Sequence, residues 1–184
     1  SNESADIVRM LNSCTFGKVS AEDNTRVDLV PKELTQQIEE TNDWVYNLIN
    51  NGVYKCGFST KQEAYNVAST NVCKGLQKCE TLLQNQTYLN GDKITESDLL
   101  LLPTILRYDG VYSPLFRAGG VHTRIRDYPG IQRWLEHCWE AYDLERTIDV
   151  EDACLSYYRQ LFPLNPGGLL PNPPITLEAM GLRK

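Results

Sequence analysis

Two sets of residues in this chain have types and spacing suited to chemistry. The first is Glu3-Ser4, in the opening stretch SNESADIVRM. A Glu-Ser pair entering an amphipathic helix presents a hydroxyl, free backbone N–H groups and the positive end of the helix dipole. That combination suits an α-carboxylate, while the Glu3 carboxylate can take an adjacent ammonium. An amino-acid-like ligand carrying both charges fits the pair. On spacing alone, the commoner meaning of such a pair is a helix cap beside a solvated surface charge.

The second set is six cysteines, at positions 14, 56, 73, 79, 138 and 154. None is spaced as C-x-x-C and only two histidines accompany them, which argues against a zinc site or any other bound metal. A disulfide scaffold is improbable in a chain of 184 residues, so free thiols in a reducing compartment is the better reading. Cys56 has only Lys55 beside it to lower its pKa, and Cys79 and Cys138 fall at core-like spacing, where a thiol is inert. Ten tyrosines are also present, most of them expected as half-buried packing residues with a wet hydroxyl.

The elements that must position these side chains read as helices. After the opening helix, a polar stretch from Gly17 to Asp28 reads as a linker. Pro31 sits where a first-turn proline belongs, and Leu34, Ile38, Val45, Leu48 and Ile49 follow at helical spacing. Asn50-Asn51-Gly52 is expected to end that helix. Thr60 and Glu63 form a capping box for the next, which should run to about Gln84 with Val72, Leu76, Cys79 and Leu83 inward. After a turn at Asn90-Gly91, Thr95 and Asp98 form a second box, with Ile94 as the staple residue. The helix behind it, Leu99 to Leu102 onward, is apolar all round and should be the centre of the core, kinked at Pro103. Asp127 is expected to cap a further helix with Ile131, Trp134, Leu135, Cys138 and Tyr142 inward. A last helix should span about Val150 to Gln160, and the Pro, Gly and Asn residues from Pro163 to Pro174 forbid regular structure.

No period-2 stretch is convincing, so the fold class is all-α. Charged residues at 23% and hydrophobic ones at 41% are ordinary for a globular protein, and the length suits one domain. A net charge of -6 argues against nucleic acid or an anionic membrane as the main partner. No stretch is long and apolar enough to cross a bilayer. A cytoplasmic location is expected, with an organelle open if residues before Ser1 carry an address.

The segments SNESADIVRM, NNGVYKCGFSTKQEAY (50–65), YLNGDKITESDLLL (88–101), LRYDGVY (106–112), RDYPGIQRWL (126–135) and LSYYRQLFPLNPGGLLP (155–171) together resemble the glutathione S-transferase superfamily. More specifically they resemble its xi class, the glutathionyl-hydroquinone reductases. FRAGG (116–120) departs from the family pattern, which usually has a Lys-Cys pair near there.

The resemblance implies a division of the chain. Residues 1–16 would be the final helix of an otherwise missing thioredoxin-like domain and 17–30 a linker. Residues 31–162 would form the helical C-terminal domain and 163–184 an extended Pro/Gly-rich tail. It also implies an activity, the thiol-mediated removal of glutathione from aromatic glutathionyl-hydroquinones, with glutathione as co-substrate. Tyr54 and Tyr157 match the family positions that hold the hydroquinone hydroxyls, and Glu3 and Ser4 those that hold the γ-glutamyl group. Thr95 and Asp98 are assigned to folding alone. The family's nucleophilic cysteine lies in a Cys-Pro-Trp-Ala motif that this sequence does not contain, so no catalytic residue is expected in the chain and it is expected to be inactive by itself. The alternative is a non-catalytic interaction module or assembly subunit of the same fold, and self-pairing stays open.

Overall fold

The protein is described by a computed structural model over residues 1, 3–13, 27–120 and 123–182. Cys14 and most of the expected linker, residues 17–26, lie outside the described residues. Helices make up the described fold: α1 (Ser4–Ser13), α2 (Thr35–Trp44), α3 (Asn51–Gly57), α4 (Gln62–Leu83), α5 (Glu96–Arg107), α6 (Pro129–Ala141) and α7 (Val150–Gln160). Among the described residues, extended pairing is confined to one isolated bridge, Tyr88 with Gly91. No helix of the described residues is long and apolar enough to cross a membrane.

The core lies where α3, α4, α5 and α6 meet. Ile49, Val53, Val72, Leu76, Leu83, Leu101, Ile105 and Ile131 are fully buried there. α5 is central but not apolar all round in its surroundings: Leu99 and Leu100 are half-buried and Pro103 is exposed. The helix continues through Pro103 to Arg107. Its start is closed by side chains close in sequence. The Asp98 carboxylate accepts the Thr95 N–H at 2.9 Å and the Thr95 hydroxyl at 3.0 Å. Its other oxygen takes the Leu89 N–H at 3.0 Å and Trp134 Nε1 at 3.1 Å. Burial holds this carboxyl above the usual carboxylate range against the pull of those donors.

Several helix ends differ from the spacing-based expectation. Asn50-Asn51-Gly52 does not stop a helix. α2 leads into a π-helical turn, Val45–Asn50, and the chain continues directly as α3. The glycine serves a close approach instead, since a Cβ on Gly52 would lie 3.1 Å from Val72 Cγ2 of α4. Asn50 ties this segment to α5, donating to the Leu100 carbonyl at 2.9 Å and accepting the Thr104 hydroxyl at 2.8 Å.

α4 begins one residue later than the Thr60 box requires. Lys61 is its N-cap, with no side-chain cap bond, and Thr60 is left outside the helix. Pro31 precedes a short 3₁₀ turn, Lys32–Leu34, rather than the first turn of α2 itself. α6 is not capped by Asp127, which ends the 3₁₀ turn Ile125–Asp127. Its orphan N–H groups are met from α4. The buried Glu80 carboxylate accepts Gly130 N at 2.8 Å and Ile131 N at 3.0 Å. A side chain on Gly130 would occupy that space, because a Cβ would lie 3.0 Å from Glu80 Oε2. Tyr142, expected inward, is 38% exposed, with its hydroxyl 2.8 Å from that of Tyr88.

Candidate functional site

Three tyrosines from three separate elements meet with their hydroxyls touching. Tyr54 comes from α3, Tyr112 from a second π-helical turn, Tyr108–Tyr112, and Tyr157 from α7. The oxygen separations are 2.8 Å for Tyr54–Tyr157, 2.9 Å for Tyr112–Tyr157 and 3.3 Å for Tyr54–Tyr112. Phe116, fully buried, forms the floor. Its ring meets Tyr112 at 5.2 Å, Tyr54 at 5.5 Å, Phe58 at 5.9 Å and Tyr157 at 6.0 Å, all edge to face. Phe58, 45% exposed, stacks on Tyr54 and widens the aromatic wall toward solvent. Edge-to-face packing of this kind satisfies the ring quadrupoles and holds each ring in one orientation.

Local sequence explains why the elements can come this close. A Cβ on Gly57 at the end of α3 would lie 2.7 Å from Phe116 Cδ2, so only glycine lets α3 press onto that ring. A Cβ on Gly110 would lie 2.8 Å from Cys154 Sγ and 2.8 Å from Ile175 Cγ2, so α7 sits directly on the π turn. Tyr158 secures the contact by donating its hydroxyl to the Gly110 carbonyl at 2.8 Å. Its neighbour Tyr157 is thereby brought beside Tyr112. Tyr108 Oη donates to the Ala118 carbonyl at 2.9 Å, and Asp109 accepts the Ile125 N–H at 3.0 Å, fixing both ends of the loop that carries Phe116.

Burial sets the protonation of the cluster. It pushes the Tyr112 phenol far above the usual tyrosine range, and the hydrogen bonds with Tyr157 and Tyr54 add to the effect. Tyr54 is raised as well, chiefly by burial; the Tyr112 hydrogen bond and the nearby Arg107 charge act the other way. Tyr54 and Tyr112 are therefore held as protonated phenols, and the hydroxyls of the cluster can donate to an oxygen that carries or develops negative charge.

Of the residues singled out from sequence, Tyr54 and Tyr157 are brought together here, although 103 positions separate them. Glu3 and Ser4 are exposed at the start of α1, outside this cluster. Thr95 and Asp98 sit inside the fold at the head of α5, in the bonds described above. Tyr112, on which the sequence does not decide, belongs to the site, as do Phe116 and Phe58, which sequence reasoning does not single out. The signal that could have found them is two i,i+4 aromatic pairs, Tyr54 with Phe58 and Tyr112 with Phe116. Tyr65 lies elsewhere, donating to the Arg117 carbonyl at 2.8 Å.

None of the five described cysteines has the surroundings of a nucleophile. Burial pushes Cys56 and Cys154 up to about 11, Cys138 to about 12, and Cys79 and Cys73 upward as well. Among the described residues no group of three His, Cys, Asp or Glu side chains is arranged to hold a metal ion.

Residues 25–141 match the family described as glutathione S-transferase, C-terminal domain. The chain is 36% identical over 190 residues to "Glutathione S-transferase omega-like 2" of Saccharomyces cerevisiae, covering 92% of this chain and 51% of that protein. It is 36% identical over 170 residues to "Glutathionyl-hydroquinone reductase YqjG" of Escherichia coli, covering 92% of this chain and 50% of that protein. The crystal structure of the Xi glutathione transferase ECM4 from Saccharomyces cerevisiae in complex with glutathione superposes with a TM-score of 0.86. That match has 36% identity and covers 95% of this chain and 57% of that one. The chain thus spans about half the length of the curated relatives it matches.

Proposed function

This chain belongs to the glutathione S-transferase superfamily and its relatives are of the xi class, and from that premise we propose that it forms the quinol-binding side of a glutathione-dependent reductase of glutathionyl-hydroquinones. The observation that carries the reading is the closed triangle of hydroxyls at Tyr54, Tyr112 and Tyr157 on an aromatic floor. An aromatic ring packs against the exposed face of Phe58, and its oxygens accept hydrogen bonds from the tyrosine hydroxyls.

In the proposed reaction a thiolate attacks the glutathione sulfur of the aryl thioether. An S–S bond forms, the aryl C–S bond breaks, and its electron pair goes to the ring carbon, which takes up a proton. While the bond breaks, charge spreads over the quinol oxygens, where the tyrosine hydroxyls donate. A second glutathione then attacks the mixed disulfide, releasing oxidised glutathione and restoring the thiolate. The thiolate is assigned to a residue other than the five described cysteines, whose raised pKa values leave them protonated at neutral pH. Glu3 and Ser4 hold the γ-glutamyl end, the carboxylate on the ammonium and the helix start on the α-carboxylate. A reducing, cytoplasmic setting suits this chemistry.

The test is to supply the protein encoded by its own gene with a glutathionyl-hydroquinone and glutathione. Free hydroquinone and oxidised glutathione should appear in equal amounts. Conjugation of glutathione to an electrophile without release of hydroquinone would instead mark a general transferase. Neither activity, with stable retention in a larger complex, would mark an interaction module, the reading that the exposed Ile7, Met10 and Leu11 of α1 favour.

A further inference from the structure

α1 is held in an unusual way for a helix that must present a binding site. It contributes no buried residue, and Ile7, Met10 and Leu11 are 39%, 46% and 56% exposed. Apolar burial against the described residues therefore does not fix its position. Polar contacts do. Arg9 Nε donates to Glu96 Oε1 at 2.9 Å and Arg9 Nη2 to Glu96 Oε2 at 2.9 Å, a two-pronged pair. Asn12 Oδ1 accepts the Leu29 N–H at 2.9 Å, and the Leu29 carbonyl in turn accepts the backbone N–H of Glu96 at 2.9 Å.

Glu96 is built to receive that helix. Its side chain is 0% exposed in the first turn of α5, and Oε2 also accepts Asn42 Nδ2 from α2 at 2.8 Å. Asn42 is held in turn by the Ser97 hydroxyl at 2.6 Å. A carboxylate taken fully out of water requires a cation, and Arg9 supplies one from a helix that has no fully buried residue of its own. Two parallel N–H···O bonds fix a plane as well as a distance, so the pair sets both the height and the rotation of α1.

We propose that Glu96 is a positioning residue for glutathione, clamping α1 through Arg9 so that Glu3 and Ser4 stand in one place relative to the tyrosine cluster. The proposal rests on the reading that Glu3 and Ser4 hold the γ-glutamyl group. Ser4 lies five residues from Arg9, about 7.5 Å along the helix. The π-helical turn that carries Tyr112 begins at Tyr108, 12 residues from Glu96, or about 18 Å along α5. A small pivot at the clamp therefore displaces one end of the ligand relative to the other, and displacements near 1 Å are enough to cost roughly 100-fold in rate.

The experiment uses the protein as encoded by its own gene and measures binding of glutathione and of free hydroquinone separately, alongside hydrogen exchange of the α1 amides. Glu96→Gln should weaken glutathione about tenfold, leave hydroquinone binding unchanged and speed exchange in α1 alone. Arg9→Lys, which keeps the charge and loses the fork, should give the same pattern at smaller size and serves if Glu96→Gln does not fold. Equal weakening of both ligands, or unchanged glutathione binding with slow exchange in α1, overturns the proposal. Glu3→Gln with Ser4→Ala tests the underlying reading by itself. If that pair leaves glutathione binding intact, the γ-glutamyl assignment fails, while faster α1 exchange in Glu96→Gln still reports the clamp.

Discussion

Replacing Tyr157 by Phe removes two of the three edges of the hydroxyl triangle, at 2.8 and 2.9 Å, and leaves the longest, Tyr54 to Tyr112 at 3.3 Å. The ring itself stays, so its contacts with Tyr112 and Phe116 are kept. For folding, each lost hydroxyl pair is worth about 0.5–1.5 kcal/mol, and the low end applies because Tyr54 is 36% exposed and water can replace its partner. The total is about 1 kcal/mol, a drop of roughly 2–4 °C in melting temperature for a chain of this size. In the proposed reaction the same hydroxyl would donate to an oxygen gaining negative charge, worth about 1.5–3 kcal/mol. That corresponds to a fall of roughly 10- to 100-fold in kcat/KM for a glutathionyl-hydroquinone.

The adjacent residue provides the contrast. Tyr158 is buried and its hydroxyl serves the Gly110 carbonyl, so Tyr158→Phe leaves a buried acceptor unmet and costs about 1–3 kcal/mol. Its activity per folded molecule should remain within about threefold of the parent. Thermal unfolding and steady-state release of hydroquinone, run on both variants, should therefore diverge: Tyr157→Phe loses rate and Tyr158→Phe loses stability. If Tyr157→Phe keeps kcat/KM within threefold, or if both variants lose rate by the same factor, the triangle is a packing feature and not a donor site.

Glu80→Ala removes the carboxylate that serves Gly130 N and Ile131 N at the head of α6. It should cost about 3 kcal/mol or more and lower the melting temperature by roughly 6–12 °C, whereas exposed Thr81→Ala should cost little. A change under 2 °C for Glu80→Ala would rule out the cap from α4. The raised thiols of Cys56 and Cys154, at about 11, and Cys138, at about 12, favour the folded state while they stay protonated. Their unfolded counterparts ionise near 9, so stability is whole below that pH and is lost as pH rises to about 11. The raised phenols of Tyr54 and Tyr112 add to the loss above 10. Denaturant midpoints measured from pH 7 to 11 should fall above about pH 9, and a flat or rising profile would contradict the burial of these groups.

What could be read from sequence was what is local. α7 spans Val150–Gln160 as its periodicity indicates, and Asp98 meets Thr95 three residues away as the box spacing requires. The head of α6 could not be read this way. Its cap comes from Glu80, 50 residues upstream, and no spacing rule marks a carboxylate that caps a helix other than its own. Asn50-Asn51-Gly52 misleads for a related reason. Asn and Gly signal a stop when solvent surrounds them, but here the amide is spent on α5 and the missing side chain on Val72. The tyrosine cluster is the extreme case. Its three members lie on separate elements and two of the approaches depend on Gly57 and Gly110, so periodicity has nothing to register. Tyr54 and Tyr157 are named through resemblance to a family, and the sequence does not decide whether Tyr112 joins them.

The geometry of the triangle bears on which state of a ligand it prefers. The three hydroxyls satisfy one another, so an incoming oxygen must break at least one edge before it gains a donor. A neutral quinol oxygen is about as good an acceptor as a tyrosine hydroxyl, and the exchange is close to even. An oxygen that has taken on negative charge is a stronger acceptor, and the low local dielectric around the buried Tyr112 strengthens the difference. In the proposed reaction the cluster would thus gain most when the aryl C–S bond is breaking, which is the condition for raising kcat and not merely lowering KM. A phenol with a strongly lowered pKa would itself lose its proton near neutral pH and reverse the effect. Burial of Tyr112 prevents this, keeping the donor protonated throughout the neutral range.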